Sequence, residues 1–375
     1  MITEPWDIST LAEVPASQPA TGFGADGVEG IFFDGVPWRG RPTRVFAWLG
    51  IPKTAQKCPG IVLVHGGGGT AFEQWVRLWT QRGYAAIAID TCGCTAGGEH
   101  MHRPRHALGG PPGWGGCLQV DDPIEDQWAY HAVAGIILAG SLVRSLPQVD
   151  SGRIGLTGIS WGGWLSCIAA GIDQRLGFVV PVYGCSVLAE EGLSFPAELG
   201  AASPRQAQRW RDLWDPSRFL SQATMPMLWV SGPNDFAFPL SSLQRSSRLP
   251  AGPRTLCVPV GMKHGHEEGW ALGEIDAFAD GHFRGGAPLA RIAEHRVCGR
   301  ALKLEFESER PIVRAEVAWT ADRGDWTRRQ WHIAAGRVDG SRALGAAPAG
   351  ASAAYLNLID DRNLLVSSEY AEFQE

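Results

Sequence analysis

The sequence predicts an α/β fold, a mostly parallel sheet with helices on both faces, followed by a small C-terminal antiparallel β-sandwich. Three observations carry that expectation. Short continuous apolar runs alternate with helix-spaced segments between residues 59 and 283, several of these runs end in glycine-rich turns, and beyond residue 286 the pattern changes to short alternating strands. A chain of 375 residues with 45% hydrophobic content is long enough to bury the core of one large domain and a smaller module.

The elements follow in order. Residues 1–30 read as an N-terminal arm that packs on the body, and 31–286 as the main domain. Residues 59–65 (PGIVLVH) form a short apolar run ending in glycines, the pattern of a buried parallel strand. Residues 72–82 place Phe72, Trp75, Val76 and Trp79 at helical spacing, and 84–90 (YAAIAID) return to strand, completing a βαβ unit. After a long loop, residues 124–146 read as one long helix and 153–158 as a strand, with a helical pattern over 163–173. Residues 178–183 (FVVPVY), 227–231 (MLWVS) and 255–260 (TLCVPV) are three further strands, and 274–283 a last helix. Between the first two of these, residues 184–225 are expected to form a cap over a pocket. Residues 287–375 contain four alternating stretches at 301–306, 314–319, 329–334 and 353–358, the signature of the sandwich.

Chemistry is concentrated where strands end. Gly158-Ile159-Ser160-Trp161-Gly162 joins an apolar strand to a helix and matches G-x-S-x-G, in which a serine sits at a sharp bend. Only small flanking residues let the neighbouring chain pass so close. The bend exposes Oγ at the carboxyl end of the sheet and aims the Trp161 amide at the same point, ready to stabilise an oxyanion. In such a sheet the partners are sought in the order serine, acid, histidine. Asp235 follows the strand MLWVS in a Gly-Pro-Asn-Asp turn. His264 and His266 follow TLCVPV, with His264 preferred as the base because it precedes a glycine and His266 held as the runner-up. Each residue singly has a plain reading, Asp235 as a helix cap and the histidines as solvated loop residues, but three residue types in the right order after three strands argue for a site. His65-Gly66-Gly67-Gly68-Gly69 supplies a loop whose backbone N–H groups at Gly67 or Gly68 complete the oxyanion site beside Trp161. Those glycines lack the lysine of a phosphate loop.

Composition narrows the function classes. A net charge of −6 with scattered basic residues gives no electrostatic footprint for nucleic acid. The first residues carry no export-signal pattern and no stretch has the length and purity of a membrane span, so the expectation is a soluble, cytoplasmic chain. The 8 Cys lie mostly in apolar patterns and read as buried thiols. The loop 91–122 carries Cys92, Cys94, His100, His102 and His106, yet their spacing is not that of a structural zinc site. It reads as a wall or lid of the pocket with Trp114 as a substrate platform, and His266 is a second candidate for substrate contact. The chain's 16 Trp suit stacking on sugar faces, although most tryptophans in a large core pack.

The phrases LVHGGGGTAFEQWV, RGYAAIAID, GISWGGWLSCIAAGID, SGPNDFAFP and HGHEEGWALGEIDAF together resemble the α/β-hydrolase superfamily. Within it they are similar to bacterial acetyl xylan esterase-like and dipeptidyl-aminopeptidase/acylaminoacyl-peptidase-like hydrolases, including dienelactone-hydrolase relatives. The resemblance spans roughly residues 45–286. It implies Ser160 as nucleophile, Asp235 as orienting acid, His264 as general base, Trp161 with Gly67 or Gly68 as oxyanion donors, and no metal or organic cofactor. It implies a serine esterase acting on small acyl groups, acetyl foremost, of a carbohydrate or other alcohol. A peptidase or lactone hydrolase with the same triad is the alternative, although the chain has no segment long enough for the β-propeller of the peptidases. A non-catalytic carbohydrate-binding protein on the same fold is the alternative of another class. The C-terminal module is a candidate for subunit contact in a homo-oligomer, for carbohydrate binding or for shaping the pocket, and the sequence does not choose among them.

Overall fold

The computed structural model describes residues 5–113, 116–186 and 202–374, with residues 116–118 described by backbone alone. Strands β1 (Ser17–Ala25), β2 (Val28–Trp38) and β3 (Arg41–Gly50) form an antiparallel meander at one edge, and β3 runs antiparallel to β5 (Ala85–Ile89). The parallel core follows in the order β5, β4 (Cys58–Val64), β6 (Val149–Ile159), β7 (Phe178–Val182), β8 (Met227–Val230) and β9 (Arg254–Cys257). Strands β4, β5, β7 and β8 are buried along their whole length, which is why their sequences are continuous apolar runs rather than alternating ones.

Helices cover both faces. Helix α1 (Ile8–Leu11) is a single turn, and α2 (Glu73–Gln81) buries Trp75, Val76 and Trp79. Helix α3 (Trp128–Ser145) is apolar nearly all round and correspondingly buried. Helix α4 (Trp161–Ile172) is buried throughout. Beyond the chain segment 187–201, α5 (Pro204–Trp214) opens with a capping box between Ser203 and Gln206, and its Trp210 stacks on Trp164 of α4 at 5.4 Å. Short α6 (Ser217–Leu220), α7 (Leu240–Ser247), α8 (His266–Trp270) and α9 (Gly273–Phe283) complete the set. The part of the expected cap at 187–201, and Trp114, lie outside the described residues.

Three features differ from the sequence reading. The single helix expected over 124–146 is a 3-10 turn, Ile124–Asp126, followed by α3, with Gln127 extended between them (φ −85°, ψ 147°). Buried hydrogen bonds hold that break, since the Gln127 side-chain amide donates to Asp122 O at 2.9 Å and its oxygen accepts from Trp214 Nε1 at 2.7 Å. The N-terminal arm is in its second half the edge strand β1. Its first half is anchored by Trp6, which stacks on Tyr130 and donates Nε1 to Tyr130 O at 2.9 Å.

The third difference concerns the C-terminal sandwich. One layer is the sheet of β10 (Arg291–Cys298), β11 (Ala301–Glu307), β15 (Arg342–Ala346) and β14 (Arg337–Asp339), in that order. The other layer is the continuation of the central sheet, running from β9 to β17 (Leu365–Ser367), β16 (Ala353–Asp360), β12 (Ile312–Thr320) and β13 (His332–Ala335), with β18 (Ala371–Glu372) beside β16. The junction pairs Ser367 with Leu256. It is reinforced by Val258 N–H donating to Ser367 Oγ at 2.9 Å and by the buried Tyr355 hydroxyl donating to Val258 O at 2.9 Å. Alternating inward residues such as Leu302, Leu304, Val317, Leu356 and Leu358 are buried, so the two layers share one core.

Candidate active site

The site stands at the carboxyl ends of β4, β6, β8 and β9, where an open α/β sheet places its ligands. Strand β6 ends at Ile159 and α4 begins at Trp161, leaving Ser160 as the bend with φ 58° and ψ −119°. A non-glycine residue in that region is strained, and the surrounding structure must over-determine it. It does so by Ser160 N–H donating to Val182 O at 2.8 Å and Ser160 O accepting from Trp164 N–H at 3.0 Å. The turn is possible because α4 crosses directly over β4. A Cβ added at Gly162 would stand 2.1 Å from Val64 O, so only glycine lets helix and strand approach this closely.

Three side chains from three strand ends meet here. His264 Nδ1 lies 2.7 Å from Asp235 Oδ2, and His264 Nε2 lies 2.8 Å from Ser160 Oγ. The carboxylate is an acceptor only, so Nδ1 carries the hydrogen and the Nε2 lone pair faces the serine hydroxyl. Asp235 is itself held, with Oδ1 accepting from Ala237 N–H at 2.9 Å and Phe238 N–H at 2.8 Å. It is buried, as is Ser160, while His264 keeps a small exposed edge. The imidazole stacks on Tyr183 with centroids 4.5 Å apart, and the Tyr183 hydroxyl donates to Lys263 O at 2.8 Å, fixing the loop that carries the histidine. Such an arrangement can pass a proton from Oγ to Nε2 while a carboxylate stabilises the resulting imidazolium.

His266 is not part of that chain. Its Nε2 accepts the Gly66 N–H at 2.9 Å, and its ring packs between Phe72 and Trp270. Burial foremost, with the nearby Arg103 guanidinium adding to it, pushes its pKa down to about 3. It therefore stays a neutral acceptor beneath the glycine loop, which takes it out of the runner-up place as base. Among the described residues, His264 is the imidazole whose ring spans from the acid to the serine.

The glycine loop is fixed from behind as well. His65 Nδ1 donates to Gly66 O at 2.7 Å, while its Nε2 accepts from Thr91 N–H at 3.0 Å. Burial lowers the His65 pKa against the opposing pull of Asp90, which keeps that tautomer neutral. Gly68 has φ 67°, and its carbonyl accepts from Met101 N–H at 3.1 Å and Arg103 Nε at 3.3 Å. Gly66 is the loop residue that abuts Ser160, and Gly67 follows it directly.

The loop 91–122 begins at Asp90, whose Oδ1 accepts from Cys92 N–H at 2.8 Å and Cys94 N–H at 2.7 Å. Arg103 then donates to Gly97 O and Gly98 O, folding the stretch holding His100 and Met101 over Gly68. Cys92 and Cys94 are buried, His106 lies against Phe32, and no three of Cys, His, Asp and Glu gather as a metal-holding group among the described residues. Trp161 and Trp164 are buried packing residues in contact with each other. The sequence reading missed Asn234, Phe236, Tyr183 and Met101, all of which line or brace the site. Only the adjacency of Asn234 and Phe236 to Asp235 hinted at any of them.

Comparison with known proteins agrees with the fold. Residues 28–186 match the family model described as acetyl xylan esterase (AXE1), a stretch that includes the glycine loop and Ser160 and ends before Asp235 and His264. An acetyl xylan esterase from Paenibacillus sp. R4 superposes with a TM-score of 0.56 at 22% identity, covering 74% of this chain and 92% of that one. This chain has the α/β-hydrolase fold. Acetyl xylan esterase 1 from Thermoanaerobacterium sp. JW/SL YS485 likewise superposes at 0.56, with 19% identity and coverage of 74% and 94%. No curated protein matches the chain. Among the described residues, no helix of this chain is long and apolar enough to cross a membrane.

Proposed function

We propose that the protein is an acetyl xylan esterase-like serine hydrolase that removes small acyl groups, acetyl foremost, from a carbohydrate alcohol through an acyl-enzyme on Ser160. The observation that carries this reading is the continuous hydrogen-bonded chain from Ser160 Oγ through His264 to Asp235, at 2.8 Å and 2.7 Å, within a chain whose first half matches the acetyl xylan esterase model. Ser160 Oγ attacks the ester carbonyl carbon as His264 Nε2 takes its proton. Asp235 holds the imidazole in the required tautomer and stabilises the imidazolium.

The negative charge that forms on the carbonyl oxygen is met by the amide of Trp161, at the first turn of α4, and by the glycine loop. Gly67 is the preferred second donor, since Gly66 gives its N–H to His266 and Gly68 is folded against the His100–Met101 stretch. Losing one such donor typically costs about 3–4 kcal/mol of transition-state stabilisation. His264 then returns its proton to the departing alcohol oxygen. In the second half it draws a proton from the water that attacks the acyl carbon, and hands that proton to Ser160 Oγ as the acyl–oxygen bond breaks. All of these steps run on the chain's own side chains and amides.

Hydrolysis of p-nitrophenyl acetate by the wild type and by Ser160→Ala tests the reading. The variant should retain less than about a thousandth of kcat, and equal rates would remove Ser160 from the mechanism and with it the serine esterase. Acetylated xylan, aminoacyl anilides and a dienelactone offered to the wild type distinguish the ester reading from a peptidase or lactonase.

A further inference from the structure

Three aromatic rings surround the His264 imidazole, and they differ in one respect. Tyr183 and Phe238 are fully buried, with centroids 4.5 Å and 6.3 Å from the imidazole. Phe236 is as close, at 4.7 Å and inclined by 51°, yet it is 61% exposed. A single exposed apolar side chain needs no explanation by itself. This one lies beside the atom that must deliver a proton to the leaving group.

That requirement sets a direction. The alcohol oxygen must come within hydrogen-bond reach of His264 Nε2 when the C–O bond breaks, so the body of the alcohol lies on the imidazole side of Ser160. The other lip of the site is different. There Met101, 55% exposed, packs its Sδ against Gly68 on the glycine-loop side, which is where the carbonyl oxygen points. On the imidazole side the exposed ring is that of Phe236.

The geometry points to Phe236 as the platform on which a ring-bearing alcohol, such as the C–H face of a pyranose, is seated during acyl transfer. This rests on the esterase reading above and extends it to specificity. The negative face of a phenyl ring attracts polarised C–H groups and offers a rigid apolar surface. The side chain is also free of the triad's own bonding. The loop's hold on Asp235 comes from the backbone N–H groups of Ala237 and Phe238, so truncation at Phe236 leaves the hydrogen bonds of the acid in place.

The test compares wild type, Phe236→Ala and Phe236→Tyr on three acetyl esters with one acyl group and different alcohols: ethyl acetate, cyclohexyl acetate and an acetylated methyl xyloside. Relative to ethyl acetate, Phe236→Ala should raise KM for the two ring esters about five- to tenfold, and Phe236→Tyr should behave as wild type. An equal change on all three esters would assign Phe236 to support of the triad, and no change on any would leave the ring idle; either overturns the platform while the esterase stands. A wild type that cleaves none of the three overturns the esterase reading and the platform with it.

Discussion

Replacing Gly66 by alanine probes how tightly the glycine loop is fitted against the nucleophile. An added Cβ would lie 2.9 Å from Ser160 Cβ, 3.0 Å from Ile159 O and 3.3 Å from His266 Nε2. Carbon atoms in contact sit about 3.5–4.0 Å apart, so at least about 0.6 Å must be made up by movement. Ile159 cannot yield, because it is paired with Val182 inside the parallel sheet, and Ser160 N–H is bound to Val182 O. The glycine loop moves instead, carrying Gly67 away from the oxyanion. A displacement of 1 Å can cost a factor of about 100, so kcat should fall about 10- to 100-fold, roughly 1.4–2.7 kcal/mol. KM should change less than about threefold, because the loop acts on the transition state. Overpacking should also lower stability by about 1–3 kcal/mol. Steady-state kinetics on p-nitrophenyl acetate, with urea unfolding and Gly24→Ala as a control at a position with nothing within 4 Å, measure each quantity. A folded Gly66→Ala variant with wild-type kcat would refute the placement of this loop against Ser160.

Two further predictions follow from the groups that brace the site. His266 is held near pKa 3 by burial against about 6.5 in the unfolded chain, so the unfolded state binds a proton first as pH falls. The stability owed to its neutral form is complete above about pH 6.5 and drains away toward pH 3, at about 1.4 kcal/mol per pH unit. Between pH 8 and pH 5 the wild type should therefore lose about 2 kcal/mol more than His266→Gln by urea unfolding; a difference independent of pH would mean that His266 titrates alike in both states. Asn234 donates its side-chain amide to Trp326 O and Arg329 O, both at 2.8 Å, tying the loop of the catalytic acid to the C-terminal residues. Asn234→Ala should cost about 1–3 kcal/mol, two carbonyls losing their donor, and should lower kcat about five- to twentyfold as Asp235 loosens, at roughly 1–2 kcal/mol of barrier. An unchanged kcat would show that the acid loop holds itself.

The elements most legible in the sequence were those with one strong local cause. Strands such as 59–65 and 84–90 are continuous apolar runs because both faces are covered, and the bend at Ser160 announces itself through the glycines that a strand-to-helix crossing requires. Asp235 and His264 could be named as neighbours of Ser160 because each follows a strand in the chain order that a parallel sheet turns into spatial proximity. What escaped were contacts set by parts of the chain far apart. The break at Gln127 depends on Trp214, 87 residues away, and no local pattern reports it.

His264 and His266 show the division most plainly. Two imidazoles two residues apart have the same intrinsic chemistry, and the sequence by itself determined that one of them would sit at this strand end beside a serine and an acid. Which one was decided only in the folded chain, where His264 spans Asp235 and Ser160 while His266 is turned beneath Gly66. The same holds for the C-terminal strands, whose alternation was written locally while their fusion to the central sheet was not. Periodicity and motif are short-range properties of a chain, whereas hydrogen-bond partners and burial depend on residues brought together across a hundred or more positions.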